Sequence, residues 1–273
     1  MNLYQKYRPS SFKGLVSQEH VKQTLQNALK KNMLTHAYLF CGPRGTGKTS
    51  TARLLAKAIN CENLDPKSFE PCNKCDICTQ INNGSLVDLV EIDAASNRGV
   101  DEIRDLRESV KFAPSQSKNK VYIIDEVHML TKEAFNALLK TLEEPPENVY
   151  FILATTELHK IPDTIVSRCQ RFGFRRINFE DISNHLAYIC KEEKVKVDTK
   201  ALDKISLRSE GCMRDALSLL DQLISYGDVN LDNLNQILGS SQNDSVNDFV
   251  DNLINSRIGE NLEIINQVHK DGL

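Results

Sequence analysis

Short apolar runs alternate with amphipathic segments over the first two thirds of the chain. Four of the runs are typical of buried strands: "HAYLFC", "VDLVEID", "KVYIIDE" and "VYFILATT". Helical periodicity separates them, at about residues 99–110 and 131–143, and another helix is predicted over 18–32 with Ser17 as its N-cap. Near-continuous apolar strands that alternate with helices are typical of a parallel sheet covered on both faces. With a short fifth strand in "QRFGFRRI", the pattern predicts an α/β fold with a parallel five-stranded sheet.

From about Phe179 the strand patterns stop and amphipathic helices follow. Four helices are predicted, over residues 180–193, 199–209, 212–226 and 231–238, with Asp198 or Thr199 capping the second. They indicate a small all-helical domain after the α/β domain. The polar stretch "GSSQNDS", residues 239–245, is typical of a linker, and helical patterns resume at about 246–256 and 260–270. The predicted domains are therefore residues 1–177, 178–240 and 241–273.

Composition changes this picture little. The 273 residues are 40% hydrophobic and 26% charged, which is typical of a globular protein. The longest apolar run, Val149 to Ala154, is too short to cross a bilayer, and the first residues lack the apolar region of a secretory signal. We therefore expect a cytoplasmic protein without a membrane partner. Because the net charge is −3, any contact with nucleic acid must come from a local basic patch.

A phosphate-binding motif follows the first strand. "GPRGTGKT", residues 42–49, has the spacing of a P-loop and lies between the strand "AYLFC" and the helix "TSTARLLAKAIN". Its glycines let backbone N–H groups face the phosphates, and the helix adds its positive N-terminal end. Lys48 would neutralise the β- and γ-phosphates, and the Thr49 hydroxyl would bind Mg²⁺. The nucleotide-binding residues predicted here are Gly42, Arg44, Gly45, Thr46, Gly47, Lys48, Thr49 and Ser50.

An acidic pair follows the apolar strand "VYII". Asp125 is placed to hold Mg²⁺, and Glu126 to polarise the water that attacks the γ-phosphate. An acidic pair after a strand is often only a solvated turn, but a P-loop in the same sheet favours the catalytic interpretation. Thr155, at the end of the strand "FILATT", is a candidate for orienting the same water, although it also suits an ordinary strand end.

Two arginines are further candidates for the site. Arg168 lies in "PDTIVSRC" after a short helix, and Arg214 lies near the start of the helix "MRDALSLLDQL". A single arginine is most often a solvated surface residue. Only the preceding P-loop and acidic pair make both of them candidates for contacts with phosphate.

Four of the eight cysteines are clustered between the P-loop helix and the next strand. Cys61, Cys72, Cys75 and Cys78 supply four thiolates, which suits a tetrahedral structural Zn²⁺. An iron–sulfur centre is the nearest alternative, but the chain continues "TQINNG" instead of the ferredoxin pattern. Free thiols or a redox pair also remain open. The other four cysteines lie among apolar neighbours and suit small core positions.

The motifs together resemble one ATPase family. "RGTGKTS", "IDEVHML", "FNALLKTLEEPP", "LATT", "SRC" and "GCMRDALSLLDQ", in this order, are similar to clamp-loader ATPases of the AAA+ class. The P-loop, acidic pair and arginines also fit archaeal or eukaryotic small subunits. The inserted cysteines resemble the zinc module of the bacterial DNA polymerase III gamma/tau family. The resemblance covers about residues 1 to 240.

The resemblance implies a DNA-dependent ATPase of the DNA polymerase III holoenzyme that works at subunit boundaries. Arg214 would sense ATP in its own subunit, and Arg168 would reach the γ-phosphate held by a neighbour. The implied partners are the other loader subunits in a pentameric hetero-oligomer, the ring-shaped sliding clamp and primer–template DNA. ATP, Mg²⁺ and a structural Zn²⁺ are the implied cofactors.

Contacts with adenine and DNA are also expected from the resemblance. Arg8, Pro9 and Val16 would contact adenine, while Ser17 stands where the related pattern usually has glycine. Arg98 and Arg104 would bind DNA phosphates, although the acidic residues around them also suit a solvated helix face.

Two alternative functions share part of this pattern. A branch-migration helicase shares the P-loop and the arginine logic but lacks the four-cysteine insertion and the "SRC" finger. A non-catalytic loader scaffold usually lacks a working P-loop, whereas Lys48, Thr49, Asp125 and Glu126 are all present. Residues 241–273 resemble only the start of the family's helical collar, so the chain is either a fragment or a truncated gene product.

Overall fold

The computed structural model describes residues 2–238 and 249–270. Its centre is a parallel sheet with the strand order β2-β3-β4-β1-β5, which confirms the predicted five-stranded sheet. The strands are β1 (Ala37–Cys41), β2 (Leu89–Asp93), β3 (Lys120–Asp125), β4 (Val149–Thr155) and β5 (Gln170–Gly173). Their carboxyl ends share one edge, so that the residues following β1, β3 and β4 meet there.

Helices cover both faces of the sheet. The helices of this domain are α1 (Leu3–Lys6), α2 (Glu19–Lys30), α3 (Lys48–Asn60), α4 (Asp76–Asn83), α5 (Val100–Val110), α6 (Lys132–Glu143) and α7 (Asp163–Val166). Leu39 and Phe151 face the core under α5 and α6, whereas Tyr38, Phe40 and Ile152 face the core under α2 and α3. Because both faces are buried, β1 is apolar at every position.

The helical domain contains α8 (Phe179–Glu192), α9 (Thr199–Arg208), α10 (Met213–Tyr226) and α11 (Leu231–Leu238). One buried cluster, including Leu186, Ile205 and Leu220, joins these helices. The Asp198 side chain accepts a hydrogen bond from the backbone N–H of Lys200, so Asp198 is the cap that the sequence predicted for α9. We call α8–α11 the lid.

The prediction that Ser17 caps α2 is wrong. Gln18 occupies the N-cap position, and both residues have a left-handed backbone with φ of 60°. The Gln18 side chain bonds the backbone of Arg175 instead: its Nε2 donates to the carbonyl oxygen at 2.6 Å, and its Oε1 accepts from the N–H at 3.1 Å. The start of α2 is thus fixed by a tertiary contact with the chain beyond β5.

The remainder of the chain is helical where it is described. Residues 249–254 are helical, and a last helix spans Ile258–Lys270. The predicted linker at 239–245 and the first part of the helix predicted at 246–256 lie outside the described residues. In the described ranges, no helix is long and apolar enough to span a membrane.

Candidate functional site

A cleft of about 420 Å³ lies between the P-loop, the chain before α2, and the lid. Its polar end is formed by the predicted loop residues Arg44 to Ser50 together with Asp125 and Glu126. Arg214 also lines the cleft, and its remaining lining includes Tyr4, Tyr7, Arg8, Pro9, Gly14, Leu15, Val16, Ile177, His185, Met213 and Leu217. The described chain therefore brings the predicted phosphate-binding and base-binding residues to one place.

The P-loop has the backbone that its glycines predict. Gly47 has φ of 100° and immediately precedes α3, where a side chain would meet Leu15 at 2.9 Å. The buried Lys48 ammonium donates to the carbonyl oxygens of Gly42 and Pro43, both at 2.8 Å. Burial lowers the pKa of Lys48, and the nearby carboxylates of Glu126 and Asp125 oppose that change. The ammonium is thus held inside the loop that would surround the phosphates.

Thr49 and Asp125 form the pair expected of a Mg²⁺ site. The Thr49 hydroxyl, in the first turn of α3, donates to Asp125 Oδ2 at the end of β3 at 2.7 Å. Neighbouring oxygen ligands of an octahedral Mg²⁺ lie about 3 Å apart. The two oxygens therefore fit adjacent positions on one ion.

Glu126 is held by a residue that the sequence analysis missed. The Thr156 hydroxyl donates to Glu126 Oε2 at 3.0 Å, and His128 Nδ1 lies 3.4 Å from the same oxygen. The predicted residue, Thr155, is fully buried, with its hydroxyl 3.1 Å from His128 Nδ1 and accepting from the Glu157 N–H at 3.0 Å. Thr155 is thus linked to Glu126 through His128. In the sequence, the second threonine of "LATT", Thr156, could have indicated its contact with Glu126.

The two predicted arginines lie in different places. Arg214 lines the cleft. Arg168 is not among the cleft residues; its guanidinium donates to Glu143 Oε1 at 2.5 Å and to the Thr164 carbonyl oxygen at 2.8 Å on a solvent-accessible surface. Within one chain, therefore, Arg214 faces the cleft and Arg168 faces outward.

The lid is joined directly to the P-loop. The Met213 N–H donates to the Gly45 carbonyl oxygen at 3.1 Å, and Arg44 forms an ion pair with Asp215 at 2.6 Å. A side chain at Gly45, where φ is 68°, would lie 2.1 Å from the Cys212 sulfur. These contacts hold the loop against the start of α10.

Three predicted adenine contacts, Arg8, Pro9 and Val16, line the cleft. The sequence analysis missed the aromatic residues around them, including Tyr7 and His185. Burial and the hydrogen bond to Glu193 raise the pKa of Tyr7 to about 12, and burial lowers the pKa of His185. Both effects favour neutral side chains at physiological pH, which suits contact with an uncharged base.

The predicted DNA-binding arginines lie outside the cleft. Arg98 Nε donates to the Ala95 carbonyl oxygen at 2.9 Å, and Arg104 forms an exposed ion pair with Asp101 at 2.9 Å. These contacts leave their role in DNA binding a prediction.

The clustered cysteines converge, and we call residues 61–78 the cysteine module. The sulfurs of Cys61, Cys72, Cys75 and Cys78 all lie within 4.8 Å of one another. Four sulfurs at about 2.3 Å from a tetrahedral Zn²⁺ lie about 3.8 Å apart, so the arrangement fits this ion.

Backbone donors favour the thiolate form of one cysteine of the module, Cys72. The N–H of Cys75 lies 3.3 Å and that of Lys74 3.4 Å from the Cys72 sulfur. The hydrogen bond from Lys74 is the main cause that lowers the pKa of Cys72 to about 6, whereas burial raises the pKa of Cys61 and Cys78. Burial opposes the thiolate forms of Cys61 and Cys78, and a bound metal ion would offset that cost.

Two family models match the chain in succession. Residues 17–178 match the family described as "DNA polymerase III, delta subunit", and residues 181–229 match "DNA polymerase III clamp loader subunit, ATPase lid domain". The boundary between them falls where the sheet domain ends and α8 begins.

Several named proteins are similar to the chain over most of its length. It is 53% identical to the DNA polymerase III subunit tau of Bacillus subtilis and 45% identical to that of Escherichia coli, in each case over 99% of this chain. It covers 48% and 42% of those two proteins, so it spans about half of their length or less. The gamma subunit of Buchnera aphidicola is 45% identical over 87% of this chain and 66% of its own length.

Solved structures confirm the architecture. The Thermotoga maritima RuvB Holliday junction branch migration motor superposes with a TM-score of 0.61 over 91% of this chain and 79% of its own, at 18% identity. At that identity the likeness establishes the AAA+ fold and nothing finer. Together with the two family models and the named relatives, it shows that the chain belongs to the DNA polymerase III gamma/tau family of clamp-loader subunits.

Proposed function

We propose that this chain is the ATPase part of a bacterial replicative clamp loader. The proposal rests on where the charged side chains of one chain lie: most of the predicted site residues line the cleft, but one arginine does not. Lys48, Asp125, Glu126 and Arg214 converge on the cleft, whereas Arg168 faces outward. In this proposal, the outward-facing Arg168 of one subunit completes the site of its neighbour. Hydrolysis therefore depends on assembly.

Each residue of the cleft has a definite role in this proposal. The P-loop N–H groups and Lys48 bind the β- and γ-phosphates, and Arg214 contacts the γ-phosphate from the lid. Thr49 and Asp125 would hold Mg²⁺, which neutralises charge on the phosphates when bound. Glu126 accepts a proton from the attacking water, and Thr156 fixes the direction of its carboxylate.

Thr155 acts indirectly in this arrangement. Its buried hydroxyl contacts His128, and His128 lies between Glu126 and Glu157, with Nε2 3.2 Å from Glu157 Oε1. Arg8, Pro9 and Val16, with the aromatic residues beside them, would contact adenine. The cysteine module would hold a structural Zn²⁺ with a filled ligand shell.

The proposed partners follow from membership of the family. They are other loader subunits in a pentameric complex, the sliding clamp, and primer–template DNA, to which Arg98 and Arg104 would contribute phosphate contacts. Loading must ignore sequence, so contacts with the DNA backbone suffice. The reaction belongs in the cytoplasm, where the chromosome is replicated.

A branch-migration motor is the second candidate, because RuvB shares the fold. The matched lid model and the cysteine cluster favour the clamp loader over it. The decisive experiment measures ATP hydrolysis by the chain alone and in a complex with the other loader subunits, with and without clamp and primed DNA. Stimulation that requires subunits, clamp and primed DNA supports the proposal. Full hydrolysis by the isolated chain, or migration of a four-way junction, would refute it.

A further inference from the structure

One side of the cleft is lined by a chain segment that contacts the cysteine module. This segment, residues 8–16, contributes Arg8, Pro9, Leu15 and Val16 to the cleft. It has no regular secondary structure over this length. Its shape depends on a local turn, in which the Leu15 N–H donates to the Phe12 carbonyl oxygen, and on contacts with other parts of the molecule, such as the Lys22 ammonium, which donates to the Leu15 carbonyl oxygen at 2.9 Å.

Glu70 makes the central contact. Its two carboxylate oxygens accept the backbone N–H groups of Phe12 at 2.7 Å and of Lys13 at 2.8 Å. Two successive N–H groups bound to one carboxylate fix both the position and the direction of the backbone between them. Phe12 is fully buried under α2 and α3, so Glu70 also completes the anchoring of that side chain.

Lys57, on α3, makes a second contact with the segment. Its buried ammonium donates to the Ser10 carbonyl oxygen at 3.0 Å and to Asn82 Oδ1 at 2.8 Å. Asn82 lies on α4, the helix that carries Cys78. Lys57 thus joins residue 10 of the segment to the helix that supplies one of the four thiols.

The module holds Glu70 through its own short-range bonds. The Asp65 N–H donates to the Glu70 carbonyl oxygen at 3.1 Å, and the Phe69 N–H donates to the Asp65 carbonyl oxygen at 2.8 Å. Glu70 lies two residues before Cys72. Gln26 of α2 also donates to the Ser68 carbonyl oxygen at 2.8 Å, so the loop that carries Glu70 is held both within the module and from α2.

We propose that the cysteine module positions the nucleobase side of the cleft, and that Glu70 and Lys57 are the positioning residues. The inference rests on the proposed function, because it assigns the cleft to ATP. In this proposal the cysteine module affects the affinity for ATP through the base. Binding of the phosphates depends on the P-loop instead.

The test compares two ligands on the full chain. Affinities for ATP and for inorganic tripolyphosphate, which has no base, are measured by calorimetry on wild type, Glu70→Gln and Glu62→Gln. Glu62 is an exposed carboxylate of the same module that makes no hydrogen bond or ion pair within the described residues. Zinc content by atomic absorption and the thermal midpoint are recorded for each protein.

We expect Glu70→Gln to weaken ATP binding roughly tenfold, the effect of losing one charge-assisted hydrogen bond. Its zinc content and its tripolyphosphate affinity should match those of wild type, and Glu62→Gln should match wild type in every measurement. Equal ATP affinity of Glu70→Gln and wild type would overturn the inference, as would equal weakening of both ligands. If wild type bound no ATP, the proposed function itself would fail.

A second variant covers the case in which Glu70→Gln does not fold. Lys57→Met keeps the length of the buried side chain but removes the bond to Ser10. It should also weaken ATP binding while tripolyphosphate binding stays unchanged. ATP affinity equal to that of wild type would contradict the proposal.

Discussion

Arg168→Ala tests whether catalysis is completed by a neighbouring subunit. In the single chain Arg168 contacts Glu143 and the Thr164 carbonyl oxygen. The side chain of Arg168 is 34% exposed and that of Glu143 is 46% exposed, so this is a surface ion pair. Such pairs contribute about 0–1 kcal/mol, and the substitution should lower the free energy of unfolding by about 1 kcal/mol or less.

The expected effect on turnover is much larger. An arginine that neutralises charge on the transferred phosphoryl group is worth about 10³-fold or more, which corresponds to about 4 kcal/mol of activation free energy. ATP affinity of the isolated chain should stay within about twofold of wild type, because Arg168 is not among the residues that line its own cleft. Arg168→Ala thus separates an effect on turnover from an effect on ATP affinity.

The assay measures DNA-stimulated ATP hydrolysis in the assembled complex, together with urea denaturation and ATP titration of the isolated chain. Arg171→Ala is the matched control, since Arg171 is exposed on β5 and has no ion pair in the part of the chain that the structure describes. Retained turnover of Arg168→Ala in the complex would refute catalysis in trans. A large loss of stability would show instead that the Glu143 contact is structural.

Three further predictions concern other parts of the molecule. Asp88→Asn should destabilise the fold by about 3 kcal/mol, because its buried carboxylate accepts three backbone N–H groups that would each lose charge assistance. Those bonds lower the pKa of Asp88, so the difference from wild type in urea denaturation should be full at neutral pH and vanish as pH falls below that lowered pKa; a constant difference would contradict this. Thr156→Val should lower turnover about tenfold with unchanged ATP affinity, since one hydrogen bond to Glu126 is lost; unchanged turnover would argue against positioning. Cys78→Ser should abolish stoichiometric zinc and lower the thermal midpoint, and an absorption band near 400 nm in wild type would indicate iron–sulfur instead.

The fold was predictable because its signals are local. Apolar runs such as β1 are buried on both faces of a parallel sheet, and their sequence shows it directly. Thr49 and Asp125 were also predictable as a pair, since a P-loop and an acidic strand end meet at one sheet edge. The structure adds their 2.7 Å hydrogen bond.

Contacts made by side chains over long sequence distances were not predictable. Ser17 has the residue type of a cap, but the backbone there is left-handed because Gln18 bonds Arg175, 157 residues away. Glu70 is an ordinary acidic residue of a polar insertion until its contacts with Phe12 and Lys13 are seen. Local propensity does not encode such tertiary bonds.

Helix α10 begins beside the phosphate loop, so a rotation of the helix at the loop would be amplified along its length. Its 14 residues extend about 21 Å, with Met213 bonded to Gly45 at one end. A rotation of about 10° at the loop would displace the opposite end by nearly 4 Å over that length. A small rotation at the proposed phosphate site would thereby become a displacement of several ångströms at the end of α10 that leads to α11.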